Sequence, residues 1–120
     1  MTKTALIVDD SNTMRMLVAD VLRRAGFKTL EATTGLEALA HVGSEIHLVI
    51  SDINMPGMDG ITLVQRLRAV PAMRATPILM LTTETSGELK AKAKAVGATG
   101  WLTKPFDASQ LQAVVARVCP

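Results

Sequence analysis

Short apolar runs and helical periodicities alternate five times along the chain, and this alternation limits the available folds more than any other feature. Short apolar strands separated by amphipathic helices are typical of a parallel sheet covered by helices on both faces. The sequence predicts five strands, at residues 4–9, 28–32, 47–52, 77–82 and 99–103. We therefore predict an α/β fold built from five βα units.

Between the strands, apolar residues recur at three- and four-residue steps, which is the spacing of an amphipathic helix. The clearest case runs from Met14 to Ala25, with Gly26 in place to end the helix. Two later helices begin with the spacing of a capping box, in which two side chains three residues apart bond each other's backbone N–H groups. The two pairs are Thr34 with Glu37 and Asp107 with Gln110.

Strand composition predicts the order of the strands across the sheet. Residues 5–8, 48–50 and 78–81 are apolar throughout, as expected for central strands buried on both faces. Residues 28–32 and 99–103 are mixed and therefore suit the two edges. With right-handed crossovers this predicts a doubly wound, flavodoxin-like sheet in the order 2-1-3-4-5, which binds ligands at the switch point between strands 1 and 3.

Composition limits the size and class of the protein. The chain has 120 residues, of which 48% are hydrophobic and 20% are charged. These fractions suffice for one apolar core and argue against a disordered or fibrous chain, so we predict a single domain over residues 1–120. The formal net charge of +2 offers no broad basic face, and we do not expect binding to nucleic acid.

Cysteine content and hydropathy indicate the compartment. The single cysteine, Cys119, excludes an internal disulfide, and two histidines without a cysteine cluster argue against a zinc site. The N-terminus has no signal-peptide pattern, and no apolar run reaches the roughly 18 residues that a membrane span needs. We expect a cytoplasmic protein that does not bind membranes.

Polar side chains follow the ends of four predicted strands. Asp9 and Asp10 close strand 1, Asp52 closes strand 3, Thr82 closes strand 4, and Lys104 follows strand 5. Each residue alone has an ordinary explanation, such as a helix cap, a strand end or a surface lysine. Because the carboxyl ends of parallel strands meet at one edge of a sheet, we expect these side chains to lie close together.

Crowded carboxylates need compensating charge. At an effective dielectric constant of about 20, two carboxylates ~4 Å apart repel by on the order of 4 kcal/mol. Lys104 supplies one positive charge, and a divalent cation would supply two. Oxygen ligands without a neighbouring His or Cys favour Mg²⁺, whose coordination is commonly completed by phosphate oxygens. The sequence therefore predicts a site for Mg²⁺ and a phosphoryl group.

A carboxylate can itself attack phosphorus and form an aspartyl phosphate. Asp52 is the candidate nucleophile, because it ends a central strand between the acid pair and the lysine. Asp9 and Asp10 would hold the metal. Lys104 would contact one phosphoryl oxygen, and the hydroxyl of Thr82 would donate to another.

These residues lie within stretches that resemble one family. The stretches are LIVDD at 6–10 with TMR at 13–15, SDINMPGMDG at 51–60, LTTE at 81–84 and GATGWLTKPF at 97–106. In this combination the chain resembles the receiver domains of two-component response regulators, most closely the single-domain chemotaxis type, the CheY family. The resemblance covers essentially the whole chain. CheY is itself a standard example of the strand order predicted above, so the two inferences are not independent.

The resemblance implies a phosphoacceptor and a metal site. Asp52 would accept a phosphoryl group from a histidine kinase of the chemotaxis type. A protein of this family is not an enzyme but a switch that assists its own phosphorylation and dephosphorylation. The implied Mg²⁺ ligands are Asp9, Asp10, Asp52 and the backbone carbonyl of Asn54.

The resemblance also implies a conformational switch. Thr82 would be the switch hydroxyl, and the peptide bond between Lys104 and Pro105 would be cis. Trp101 stands where the family usually has Tyr or Phe, the aromatic side chain that turns inward as the hydroxyl moves. An indole is larger and carries an N–H that needs a partner when buried, so this departure bears on the inward rotation.

Phosphorylation would alter the surface of helix 4, strand 5 and helix 5, where the family binds its targets. Lys90, Lys92 and Lys94 on helix 4 either solvate an exposed face or meet an acidic partner. Asn54 and Glu84 lie two residues beyond the acceptor and the switch hydroxyl, where they would tune the lifetime of the acyl phosphate. We expect a monomer that binds a flagellar motor switch protein or a phosphatase.

Other functions stay open at this point. A phosphate sink, or a single-domain regulator outside motility, would use the same site. A metal-dependent phosphatase usually needs an acid where Asn54 stands, and an FMN carrier would find its phosphate repelled by Asp9 and Asp10. The remaining alternative is an interaction module with a vestigial pocket.

Overall fold

The computed structural model describes residues 2–84 and 86–120. Its helices and strands alternate along the chain as the sequence predicts. They are β1 (Thr4–Val8), α1 (Asn12–Arg24), β2 (Lys28–Ala32), α2 (Gly35–Leu39), β3 (Leu48–Asp52), α3 (Gly60–Arg68), a short 3₁₀ turn (Pro71–Met73), β4 (Ile78–Thr82), α4 (Gly87–Ala95), β5 (Gly100–Thr103) and α5 (Ala108–Val118).

The five strands form one parallel sheet in the order β2-β1-β3-β4-β5, which confirms the predicted fold class and strand order. β2 has the predicted bounds, and each of the other strands is one residue shorter than predicted. β1 ends at Val8. The N–H of Asp9 still donates to the carbonyl of Ala32 on β2 at 3.1 Å, but a side-chain oxygen of Asp9 accepts a hydrogen bond from the N–H of Ser11 at 2.9 Å as the chain turns toward α1.

The sheet separates two apolar cores, because successive side chains of a strand point to opposite faces. On β1, Leu6 and Val8 belong to one core, whereas Ala5 and Ile7 belong to the other. α2, α3 and α4 cover the first core, and α1 and α5 cover the second. The central strands are buried almost throughout, and the edge strands β2 and β5 are mostly half-buried, which explains the compositional difference in the sequence.

Side-chain caps fix the starts of the helices. The capping box of Asp107 with Gln110 is present in full at the start of α5. The predicted box of Thr34 with Glu37 forms only by half: the Thr34 hydroxyl accepts from the N–H of Glu37, but the Glu37 carboxylate bonds the N–H and hydroxyl of Thr33 instead. The bond moves by one residue because the Thr33 hydroxyl offers a second donor beside its N–H.

Among the described residues no helix is long and apolar enough to cross a membrane. The longest, α1, has 13 residues. At 1.5 Å per residue it spans about 20 Å, which is less than the ~30 Å of a bilayer core.

The β3–α3 loop folds back onto the end of β3. The N–H of Gly60 donates to the carbonyl of Ile53 at 2.8 Å. A Cβ at position 60 would collide with the carbonyl oxygen of Asp52 and lie 2.7 Å from the Cα of Ile53, so only glycine fits this approach. The contact holds the loop that follows Asp52 in a fixed position beside the ends of the strands.

Candidate functional site

The ends of β1 and β3 bring three carboxylates together. Asp9, Asp10 and Asp52 each have a carboxylate oxygen within 4.8 Å of one from each of the others. Asp9 is 1% exposed and Asp52 is 7% exposed, whereas Asp10 faces solvent. β1 and β3 are neighbours in the sheet, with Val8 paired to Ser51, so the sheet register itself produces this cluster.

The two carboxylate oxygens of Asp9 have different surroundings. Oδ1 accepts the hydrogen bond from the N–H of Ser11. Oδ2 is buried and has no hydrogen-bond partner within the described residues. Its cationic neighbour is the Nζ of Lys104 at 3.6 Å, and a buried anionic oxygen that has lost its water without gaining a hydrogen bond is costly. This oxygen is therefore suited to receive a ligand at the cluster.

Lys104 is the cation that faces the cluster. Its Nζ lies 3.3 Å from Oδ1 of Asp52 and 3.6 Å from Oδ2 of Asp9, and its side chain is 15% exposed. The N–H of Lys104 donates to the carbonyl of Thr82 at 2.7 Å, and the Lys104–Pro105 peptide bond is cis. One ammonium group faces three carboxylates, so the cluster retains excess negative charge.

Burial raises the pKa of the Asp52 carboxyl above its ordinary value, because removal from water disfavours the charged form. The positive charge of Lys104 opposes this rise in pKa, and the negative charge of Asp9 adds to it. A hydrogen bond from the N–H of Asn54 also lowers the pKa, but the net shift is upward. The folded protein therefore holds the Asp52 carboxylate at a cost when the cluster contains no other cation.

The donor chemistry of the cluster fits Mg²⁺. All of its ligand atoms are carboxylate oxygens, which hard divalent cations prefer, and within residues 2–84 and 86–120 it is the one such group of acids, histidines or cysteines. The missing hydrogen bond at Oδ2 of Asp9 and the excess negative charge of the cluster both favour a cation at this place. Asn54, whose carbonyl is an expected ligand, lies two residues after Asp52 and is exposed.

Thr82 is fully buried at the end of β4, beside the cluster. The residue before it, Leu81, pairs with Asp52 in the sheet. The hydroxyl of Thr82 accepts a hydrogen bond from the N–H of Glu84 at 3.1 Å, and the Glu84 side chain is exposed. The hydroxyl hydrogen is therefore still available to donate.

Trp101 lies on β5, where it pairs with Met80 of β4. The Nζ of Lys90 lies 5.7 Å from the centre of the indole ring, within the range of a cation–π contact. The indole N–H is buried and has no hydrogen-bond partner among the described residues. Lys90, Lys94 and Trp101 line a groove of about 340 Å³ between α4 and β5.

Sequence reasoning did not single out Arg15, although its guanidinium lies directly behind the cluster. Nη1 of Arg15 donates to the backbone carbonyl of Asp9 at 2.9 Å, and Nε lies 3.1 Å from a carboxylate oxygen of Glu31 on β2. The available signal was the position of Arg15 on the helix. It precedes the buried residues Ala19 and Leu22 by four and seven positions, so its side chain points toward the sheet.

Comparison with known proteins places these features in one family. The family model described as "Response regulator receiver domain" matches residues 5–116. The chemotaxis protein CheY-3 of Vibrio cholerae is 42% identical over 109 residues, which cover 89% of this chain and 84% of that protein. The chemotaxis protein CheY of Pseudomonas aeruginosa is 37% identical over 115 residues, which cover 94% and 93% of the two chains.

Solved structures agree with the sequence comparison. The chemotaxis response regulator CheY4 of Vibrio cholerae superposes with a TM-score of 0.94 at 45% identity, covering 98% of this chain and 99% of that chain. A putative response regulator of Chloroflexus aurantiacus superposes with a TM-score of 0.92 at 36% identity, covering 99% and 98%. The resemblance stated from the sequence motifs is confirmed.

We expect Asp52→Asn to stabilise the fold without metal at neutral pH, because the amide removes a buried negative charge from the cluster. The raised pKa of Asp52 means that the unfolded chain releases this proton at lower pH than the folded chain does. The unaltered protein therefore loses folding stability as pH rises from the ordinary pKa of the Asp52 carboxyl, 3.8, through its raised pKa. The Asn variant has no carboxyl at this position and keeps that stability.

Urea unfolding at neutral and acidic pH measures the difference, which should shrink as pH falls toward the ordinary pKa. Asp20→Asn is the matched control, because Asp20 is an exposed acid of α1 paired with Arg24. A variant at position 52 that is no more stable than the unaltered protein at neutral pH would contradict the charge balance described for the cluster.

Proposed function

The chain belongs to the response regulator receiver domains, of the CheY-like type, and on this premise we propose that Asp52 is the phosphoacceptor of a signalling switch. Proteins of this type are signalling switches rather than conventional enzymes. The observation that carries the proposal is the crowding of two buried carboxylates, Asp9 and Asp52, around the single ammonium group of Lys104. A site arranged in this way favours the arrival of a cation and a phosphoryl group.

The proposed reaction transfers a phosphoryl group from a phosphohistidine of a kinase. A carboxylate oxygen of Asp52 forms a bond to phosphorus while the phosphorus–nitrogen bond breaks, and the histidine nitrogen recovers a proton from solvent. Mg²⁺ supplies positive charge that offsets the charge of the transferred phosphoryl group. Its proposed ligands are Asp9, Asp10, Asp52 and the backbone carbonyl of Asn54.

Lys104 and Thr82 are proposed to bind the phosphoryl oxygens. The ammonium group of Lys104 already contacts Asp52 and can move to a phosphoryl oxygen as a point charge. The Thr82 hydroxyl has its hydrogen free to donate. The two residues are joined by the hydrogen bond from the Lys104 N–H to the Thr82 carbonyl, so a shift of either is transmitted to β5. Trp101 lies on that strand and is the proposed reporter of the switch.

The proposed output surface is formed by α4, β5 and α5. Lysines on α4 make the groove beside Trp101 positive, and we assign it an acidic partner segment. The chemotaxis names of the relatives support a kinase of that pathway upstream and a flagellar motor switch protein or a phosphatase downstream. We propose a single-domain, monomeric protein of the cytoplasm. A phosphate sink without motor contact is the second candidate, because the same site serves it.

The metal-dependent phosphatase and the interaction module have less support. A metal-dependent phosphatase usually needs an acid where Asn54 stands. An interaction module would not need the acid cluster or Lys104, and both are in place.

Phosphorylation of Asp52 is tested with a small phosphodonor and Mg²⁺. We expect stoichiometric phosphate on the protein by mass spectrometry that both strong acid and base release, as for any acyl phosphate, together with a change in the fluorescence of Trp101, the only tryptophan. Asp52→Asn should abolish both signals, since it lacks the nucleophile, and exposed Asp20→Asn should preserve both. Labelling that persists in Asp52→Asn, or none in the unaltered protein, would disprove the proposal.

Asn54 and Glu84 are proposed to tune the lifetime of the phosphorylated state. Both are exposed next to the buried acceptor and switch residues, where water must approach the acyl phosphate. We expect Asn54→Met or Glu84→Met to slow dephosphorylation about tenfold, equal to ~1.4 kcal/mol on the barrier, because an apolar side chain hinders the water. Loss of label over time measures this. Glu88→Met on α4 is the control, and an unchanged rate in both site variants would remove the assignment.

The lysines that line the groove are proposed to bind the acidic partner. We expect Lys90→Glu with Lys94→Glu to weaken binding of the phosphorylated protein to a purified motor switch protein by about tenfold or more, because like charges then face each other. Lys92→Glu is the matched control, since Lys92 faces Glu88 at 3.7 Å outside the groove. Equal losses in control and variant, or no loss in either, would count against this surface.

A further inference from the structure

We propose that Arg15 is a positioning residue for the metal site: it holds the peptide that joins Asp9 to Asp10 and so sets the angle between their two carboxylates. This inference rests on the proposed function, because it concerns the Mg²⁺ that phosphorylation requires. Neither the acid cluster nor Lys104 explains why a second cationic side chain lies so close behind the site.

The guanidinium of Arg15 is fixed on three sides. Nη1 donates to the carbonyl of Asp9 at 2.9 Å, Nε donates to Glu31 at 3.1 Å, and Nη2 donates to the side-chain oxygen of Asn12 at 2.6 Å. The side chain of Arg15 is only 13% exposed. Since the guanidinium is a rigid plane, three partners on three different nitrogens leave it a single orientation.

Glu31 anchors this arrangement to the sheet. It lies on β2, paired with Ile7 of β1, and its side chain is therefore on the α1 face. The second carboxylate oxygen of Glu31 lies 3.4 Å from Arg23, which is about two helical turns beyond Arg15 on α1. Glu31 thus offsets the positive charge of Arg15, while Nη1 of the guanidinium donates to the backbone carbonyl of Asp9.

The Asp9 carbonyl belongs to the peptide unit that leads into Asp10. Because a peptide unit is planar, holding its oxygen also fixes the direction in which the chain enters Asp10. Asp9 is fixed separately, since its N–H bonds the carbonyl of Ala32 at 3.1 Å and its Oδ1 accepts from Ser11. One acid is therefore held by its own side chain and N–H, and the exposed acid is held through Arg15.

The angle between the carboxylates of Asp9 and Asp10 should affect the binding of Mg²⁺ in particular. Mg²⁺ demands near-ideal octahedral coordination with short bonds, whereas Ca²⁺ accepts longer bonds and irregular geometry. A residue that only positions ligands should therefore affect Mg²⁺ more than Ca²⁺. If Arg15 acted only through its charge, its removal would have the opposite effect on affinity. Taking a cation away from the cluster would strengthen the binding of both metal ions.

Titrations of unphosphorylated protein with Mg²⁺ and with Ca²⁺, followed by calorimetry, separate these effects. We expect Arg15→Met to weaken Mg²⁺ binding roughly tenfold, as is typical for loss of a group that orients metal ligands, and to weaken Ca²⁺ binding much less. Arg15→Lys keeps the charge but not the planar fork, so it should show the same loss of preference for Mg²⁺. Arg23→Met, which also removes a partner of Glu31, should leave both affinities unchanged.

Thermal unfolding without metal first establishes that each variant is folded; if Arg15→Met is not, Arg15→Lys alone decides the question. Mg²⁺ binding that is unchanged or tightened, or an equal weakening for both metal ions, would overturn the positioning role while leaving the proposed function intact. Failure of the unaltered protein to bind Mg²⁺ would overturn both the positioning role and the proposed function. The titrations therefore distinguish a failure of the positioning role alone from a failure of the proposed function.

Discussion

The rest of the site depends on one electrostatic constraint: three carboxylates are gathered at the edge of a sheet with one ammonium group among them. Two of the acids, Asp9 and Asp52, are almost entirely buried, so water cannot compensate their charge. The pKa of Asp52 is raised, and one oxygen of Asp9 accepts no hydrogen bond within the described residues. This uncompensated charge favours the binding of a cation at the cluster.

The surrounding structure holds the charged groups in position. The parallel sheet brings the ends of β1 and β3 side by side, and the close approach at Gly60 fixes the loop after Asp52. The backbone of Lys104 is bonded to that of Thr82, which links the cluster to β5 and its groove. These short contacts are the route by which we propose that a change of charge at Asp52 reaches β5.

The sequence was sufficient to predict the strand order and the closeness of Asp9, Asp10 and Asp52, because both follow from periodicity and from acids placed at strand ends. It could not predict that the Glu37 carboxylate binds Thr33, since two donors compete within one turn. It also missed Arg15, whose partners Asp9 and Glu31 come from two other segments of the chain. The unpartnered indole N–H of Trp101 is likewise a consequence of packing that composition does not reveal.

The central claim is that the buried cluster carries more negative charge than the protein alone can balance. Carbon NMR of the Asp52 carboxyl, followed through a pH titration with and without Mg²⁺, tests it most directly. Without metal the carboxyl should titrate above its ordinary value of 3.8, and saturating Mg²⁺ should move the titration to lower pH. A carboxyl that titrates at or below its ordinary pKa, and does not respond to Mg²⁺, would contradict the account.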